Sequence, residues 1–219
     1  MSLFVIATPI GHYQDLGHRA LEILHQCSVI ITEERKEGSR LLRHFGISGR
    51  QLEELNEHTN NEGLAELVAL CTSQDVALIS DAGTPGFCDP GADLVSLCRK
   101  KGVQIQSVPG PSSLMALLSI SGRRLDEFYF RGFISPKTEE RIEQLRQLKS
   151  TKVPVVLMDT PYRLKKMLTE LDGELGEHTV LLGLNLSQEN EVFLEGRPGR
   201  VLKDLPCDKA EFVLILLPS

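Results

Sequence analysis

Four short apolar runs in the first half of the chain alternate with stretches patterned for helices, and this alternation limits the fold more than any other feature. LFVIAT (3–8), SVIIT (28–32), VALIS (76–80) and VQIQSVPG (103–110) read as strands. Between them, DLGHRALEILHQC puts Leu16, Ala20, Ile23, Leu24 and Cys27 on one helical face, and KEGSRLLRHFG is a helix that ends at Gly46. GLAELVALC (63–71), ADLVSLCRKKG (92–102) and PSSLMALLSIS (111–121) are helical too, the last opened by a proline and two serines. Strands separated by helices form a mostly parallel sheet covered on both faces. In such sheets ligands lie beyond the carboxyl ends of the strands.

The pattern restarts around SGRRLD (121–126). FYFRGF (128–133), VPVVLMD (153–159) and HTVLLGLNL (178–186) read as strands, with the helices PKTEERIEQLRQLKS and TPYRLKKMLTELDGELG between them. NEVFLEG and AEFVLILLP are closing, antiparallel strands of a mixed sheet. The sequence therefore predicts two α/β domains, 1–120 and 121–219, packed against each other with a cleft between them.

The function classes left open are narrowed by composition. With 41% hydrophobic and 25% charged residues, the chain can bury a core. Its longest apolar runs are too short to cross a bilayer, and MSLFVIATPIG has no basic leader pattern, so a cytoplasmic protein with no membrane partner is expected. The five cysteines, Cys27, Cys71, Cys88, Cys98 and Cys207, show no CxxC spacing, which argues against a disulfide framework and a zinc site. No HExxH or HxH spacing occurs among the six histidines, so no metal site is expected. A net charge of −6 weakens general adhesion to nucleic acid, yet a local basic patch remains compatible with an RNA substrate.

The loops after the strands carry the chemistry. SDAGTPGFCDPG (80–91) follows a fully apolar strand and holds Gly83, Pro85 and Gly86 ahead of Asp89, which is placed to cap the next helix. It reads either as a ligand loop or as a rigid turn with a capping aspartate; Cys88 within it has no adjacent base to activate it. TPIG (8–11) has neither a Walker pattern nor GxGxxG, which excludes those nucleotide fingerprints. PGPSS (109–113) offers backbone N–H groups and hydroxyls at a helix start, suited equally to capping and to ligand contact. Glu33-Glu34-Arg35-Lys36 follows the second strand at the same sheet edge, and His58 lies in the polar segment Asn56 to Asn60. A solvated charge run and a surface histidine are the plain readings; a base near neutral pH is the functional one.

Taken together, these segments resemble one family. TPIGHYQDLGHRALEIL is similar to the opening TPIGN-x-x-DL-x-x-RA of the bacterial small-subunit rRNA ribose 2′-O-methyltransferases, within the tetrapyrrole methylase superfamily. SDAGTPGFCDPGADLV resembles their SDAGTP-x-x-DPG-x-x-LV, and VPGPSSLMALLSISG and FYFRGFISPKTEER follow in the same order along the chain. The resemblance implies a two-domain tetrapyrrole methylase-like fold, with a mostly parallel N-terminal sheet, a mixed C-terminal sheet and the cofactor cleft between domains. It also implies a homodimer, and S-adenosylmethionine held by Pro9, Asp81, Ala82, Gly83, Pro85, Ser112 and Ser113, joined by Met158 and Gly183.

The acceptor side departs from the family pattern. EDTR corresponds to Glu33-Glu34-Arg35-Lys36, YE-x-P-x-R to Met158-Asp159-Thr160-Pro161-Tyr162-Arg163, and RELTK-x-x-E to Leu184 through Glu191, where the arginine and lysine are lost. The chain also stops on its last predicted strand, without the family's small C-terminal extension. The implied reaction moves a methyl group to an oxygen of rRNA in the small ribosomal subunit. Glu33, Glu34, His58 and Asp81 are candidate bases, and Lys36 and Arg163 candidate holders of phosphate or carboxylate. Methylation of another acceptor, and cofactor binding without catalysis, stay open beside it.

Overall fold

A computed structural model describes residues 1–86 and 91–219. Asp89 and Cys88 lie outside the described residues. The chain divides into two compact units, Met1–Ser112 and Ser113–Ser219.

The first unit contains β1 (Ser2–Ile6), α1 (His18–Gln26), β2 (Val29–Thr32), α2 (Arg35–His44), β3 (Gln51–Glu54), α3 (Asn61–Ser73), β4 (Val76–Ile79), α4 (Ala92–Lys100) and β5 (Gln104–Val108). Its sheet has the order β3-β2-β4-β1-β5 with every pair parallel. Alternate side chains of each strand go to opposite faces, which is why these strands read as unbroken apolar runs. Ile6, Ile30, Ala77 and Ile79 pack with Leu24 of α1 and Leu41 and Leu42 of α2. Leu3, Val29, Ile31, Val76 and Leu78 pack on the other side with Leu67 of α3 and Leu94 of α4. Cys27 and Cys71 are part of these cores. Burial pushes the Cys27 thiol up to about 11 and that of Cys71 well above its usual range, so both are inert packing residues.

Strand β3 is one element the pattern did not reveal. Its sequence is QLEE, with no apolar run, because it is an edge strand paired to β2 alone. Charged side chains on such an edge discourage pairing with another chain. The polar segment after it also has a structural part: Asn60 Oδ1 accepts the Gly63 N–H at 2.9 Å and caps α3.

The second unit contains α5 (Ser113–Ile120), β6 (Tyr129–Phe133), α6 (Thr138–Leu148), β7 (Val155–Asp159), α7 (Leu164–Leu175), β8 (Thr179–Leu184), β9 (Val192–Gly196), α8 (Pro198–Lys203) and β10 (Phe212–Leu217). The sheet order is β6-β7-β10-β8-β9; β6 and β7 are parallel and the remaining pairs antiparallel, giving the mixed sheet that was expected. Helix α8 was not apparent in the sequence, since six residues are too few for a periodic pattern.

Within this unit the PKTEER segment has a structural explanation. Arg141, 1% exposed, donates Nε and Nη2 to Glu170 at 2.6 and 2.7 Å. Its Nη1 donates to the Ser135 and Pro136 carbonyls, and Nη2 also to Thr138 Oγ1. All five guanidinium N–H donors are thereby used, and α6 is pinned to α7. No helix among the described residues is long and apolar enough to cross a membrane.

Candidate functional site

Strands β1, β4 and β5 are neighbours and run in one direction, so the loops that follow Ile6, Ile79 and Val108 leave the first sheet side by side. Backbone bonds then tie these loops together. Thr8 and Gly83 exchange two bonds, Thr8 N–H to Gly83 carbonyl at 2.8 Å and the reverse at 3.1 Å. The buried hydroxyl of Thr8 donates to the Ser80 carbonyl at 3.0 Å, and that of Ser80 to the Gly83 carbonyl at 3.0 Å. Thr84 Oγ1 reaches the Pro111 carbonyl at 3.3 Å. Thr8 and Ser80 were not singled out from the sequence; the signal was a small hydroxyl residue at the end of each apolar strand.

Glycine is required at two points here. Gly83 has φ +87°, a conformation that costs most side chains strain, and a Cβ there would sit 3.6 Å from Ile10 Cγ2 and 3.9 Å from the Pro111 carbonyl. A side chain at Gly83 would therefore occupy the space between the first and third loops. Gly110 lies against Ala7, where a Cβ would come within 3.1 Å of the Ala7 Cβ.

The polar residues expected along this edge are positioned differently from one another. Asp81 Oδ1 accepts the Glu34 N–H at 3.1 Å, joining the loop after β4 to the start of α2. Glu54 Oε1 accepts the Arg35 N–H at 3.0 Å, so carboxylates meet the first N–H groups of α2. Glu33 is half-buried and lines a narrow cavity with Leu55, Leu78, Ile79, Ser80, Pro85 and Gly91. Asp81, Ala82, Glu34 and Lys36 are exposed, Pro85 and Gly83 are buried, and Pro9, Ser112 and Ser113 are intermediate. His58 is exposed, with Glu57 3.7 Å from its Nε2.

In the second unit, Met158 and Gly183 stand on either side of Val213, to which both are paired across the sheet. A Cβ on Gly183 would lie 3.0 Å from both Leu186 methyl carbons and 3.1 Å from Leu117 Cδ1. The glycine is thus demanded by packing. Gly183→Val is expected to destabilise the protein by about 1–3 kcal/mol through overpacking, seen as a lower urea midpoint with an unchanged slope. Arg163 pairs with the buried carboxylate of Asp159 at 3.1 Å. Asn185 and Ser187 adopt φ +47° and +64° without being glycine. Asn185 Oδ1 accepts the Glu211 N–H at 3.1 Å, and Glu191 Oε2 accepts the Ser187 N–H at 2.6 Å, which hold this turn in place.

Residues 2–201 match the family model described as Tetrapyrrole (Corrin/Porphyrin) Methylases. The chain belongs to the tetrapyrrole methylases. Membership makes it an S-adenosylmethionine-dependent methyltransferase. Among the relatives of this tetrapyrrole methylase is Ribosomal RNA small subunit methyltransferase I of Neisseria meningitidis serogroup B, 34% identical over 100% of this chain and 76% of its own length. The protein of the same name from Leptospira biflexa is 34% identical over 98% of this chain and 90% of its own. In fold, the methylase is similar to a crystal structure of diphthine synthase, with a TM-score of 0.82 at 16% identity, covering 100% of this chain and 90% of that one. It is also similar to uroporphyrin-III C-methyl transferase from Thermus thermophilus complexed with S-adenosyl homocysteine, with a TM-score of 0.68 at 17% identity, covering 99% and 97%.

The first unit of the methylase fits such a donor. Its three loops leave the sheet side by side, and Gly83 leaves open the space between Ile10 and Pro111 that a side chain there would enter.

Proposed function

We propose that this tetrapyrrole methylase transfers a methyl group to a ribose 2′-hydroxyl of small-subunit rRNA. The observation that carries the reading is similarity along the whole chain, at 34% identity, to a protein named as a small-subunit rRNA methyltransferase. Pro9, Asp81, Ala82, Gly83, Pro85, Ser112 and Ser113 would hold S-adenosylmethionine largely through backbone groups. The sulfonium supplies an activated methyl group, so the chain's own work is to orient the acceptor, exclude water and take up a proton.

A ribose hydroxyl is a weak nucleophile at neutral pH, and a positioned carboxylate assists it. Glu33 is the strongest of the candidate bases, because it lines the cavity that Ser80 and Pro85 also line. Glu34 and Asp81 are bound to each other through a backbone N–H, and His58 points to solvent beside Glu57. Lys36, exposed and without an ion pair among the described residues, suits a phosphate of the substrate. Arg163 has its charge matched by Asp159 and would act with its remaining donors. A cytoplasmic homodimer acting on ribosomal subunits completes the reading.

The test uses small ribosomal subunits and methyl-labelled S-adenosylmethionine, followed by alkaline hydrolysis of the rRNA. A 2′-O-methyl group removes the hydroxyl that attacks the neighbouring phosphodiester, so the label should remain in an alkali-stable dinucleotide. Label in mononucleotides would place the methyl on a base and contradict the reading, and no label in the RNA would remove it.

A second result bears on the base. Glu33→Gln should lower kcat by about 10²–10⁴-fold, the usual range for a lost general base, while the cofactor dissociation constant changes little.

A further inference from the structure

At the amino edge of the first sheet, opposite the donor loops, lies a pocket of about 330 Å³ lined by Arg43 and Arg50 over a floor of Leu42, Ile47 and Leu52. We propose that this pocket binds one nucleotide of a single-stranded RNA segment, its phosphate on the two guanidinium groups and its base on the apolar floor. The proposal rests on the reading that RNA is the acceptor and adds a second point of contact for it.

Placement follows from topology. Helix α2 runs back along the sheet from Glu34 at the donor edge, and its ten residues carry the chain about 15 Å to the other edge. There Gly46, at φ +68°, turns the chain, and the Ile47 N–H closes on the Leu42 carbonyl at 2.9 Å. Gly49, at φ +70°, turns it again into Arg50 and β3. A Cβ at either glycine would meet nothing within 4 Å, so the mouth between the two turns is open.

Among the described residues, no carboxylate neutralises the charges of this pocket. Arg35 and Arg40 of the same helix are paired with Glu54 and Glu37. Arg43 and Arg50 have no ion pair among the described residues, in a chain whose net charge is −6. Arg50 donates Nη2 to the His25 carbonyl, which fixes the guanidinium, yet its buried Nε has no hydrogen-bond partner among the described residues. The exposed Arg43 guanidinium and the anchored Arg50 guanidinium both line the pocket. Two guanidinium groups suit a phosphate. Three aliphatic side chains beneath them suit the face of a base, as in single-strand RNA recognition. The volume lies at the small end of ligand pockets, matching one nucleotide and no more.

Arg43→Gln is the decisive variant, because Arg43 is exposed and has no ion pair among the described residues, and its replacement leaves the fold intact, as a thermal melt would verify. Binding of a short fluorescein-labelled single-stranded RNA is followed by anisotropy across a salt series. The variant should bind roughly tenfold more weakly, with the slope of log affinity against log salt reduced by about 0.7, the value for one lost phosphate contact on a single strand. With small ribosomal subunits as substrate, KM should rise while kcat and S-adenosylmethionine affinity stay unchanged. Cytidine monophosphate should displace the oligonucleotide from the wild-type protein and fail to do so from Arg43→Gln, which separates a nucleotide pocket from general attraction to a polyanion. Unchanged RNA affinity and salt slope in a folded Arg43→Gln protein would overturn the pocket, even if rRNA is methylated. Weakened oligonucleotide binding in that variant would uphold it, even if no rRNA methylation is found.

Discussion

Replacing Gly83 by valine should weaken S-adenosylmethionine binding by roughly ten- to thirtyfold, with a smaller effect on folding. At φ +87° a β-branched residue carries strain of about 1–2 kcal/mol, and each 1.4 kcal/mol is a factor of ten in affinity. If the loop keeps its conformation, the side chain fills the space between Ile10 and Pro111 that the donor is proposed to use. If the loop relaxes instead, the paired bonds between Thr8 and Gly83 are lost and the first two loops separate. Either route harms the donor site more than the core. Gly17→Ala is the matched control, because Gly17 has an ordinary φ of −61° and open space around it. Calorimetric titration with S-adenosylmethionine should show near wild-type affinity for the control and the loss for Gly83→Val. Equal affinities for the two variants would show that the Gly83 loop does not hold the donor.

Arg141→Ala should be the most destabilising single substitution proposed for this chain, costing about 3–5 kcal/mol. The arginine is 1% exposed and its five donors meet Glu170, two carbonyls and a hydroxyl, so its removal strands a carboxylate with little access to water. The loss is a large share of the 5–15 kcal/mol that stabilises an ordinary domain. Glu170→Gln keeps shape and some hydrogen bonding and should cost less. The double replacement Arg141→Met with Glu170→Leu removes both charges and should recover much of the stability lost in Arg141→Ala. Urea unfolding of the three variants checks the order; an Arg141→Ala protein as stable as wild type would show that the ion pair does not hold α6 to α7.

The parallel sheet was legible because strands such as VALI and VIIT are buried on both faces, leaving a run of apolar residues in the sequence. QLEE was not, since an edge strand needs only one inward residue, here Leu52, and carries charge elsewhere. Helix α8 is too short to show a period. Among site residues, the glycine-rich loops announced themselves by composition, and their convergence followed from strand order. What the sequence could not show is how polar groups pair. Asp81 is bonded to the Glu34 backbone, Arg163 is matched by Asp159, and Arg141 in the same kind of charged segment is a buried brace. Asp81 with Glu34 and Arg141 with Glu170 are far apart in the chain, so no local pattern encodes those pairings. The arginine-lined pocket was not legible either: Arg43 and Arg50 belong to a helix end and a turn, with nothing unusual in their spacing.

The central claim is that the loops after β1, β4 and β5 form the donor site. A crystal structure of this protein with S-adenosylhomocysteine tests it most directly. The ligand should lie against the backbone of Pro9, Asp81, Ala82, Gly83 and Ser112, beyond the carboxyl ends of the parallel strands. Density for the ligand at any other edge or face of that sheet, with these loops bare, would contradict it.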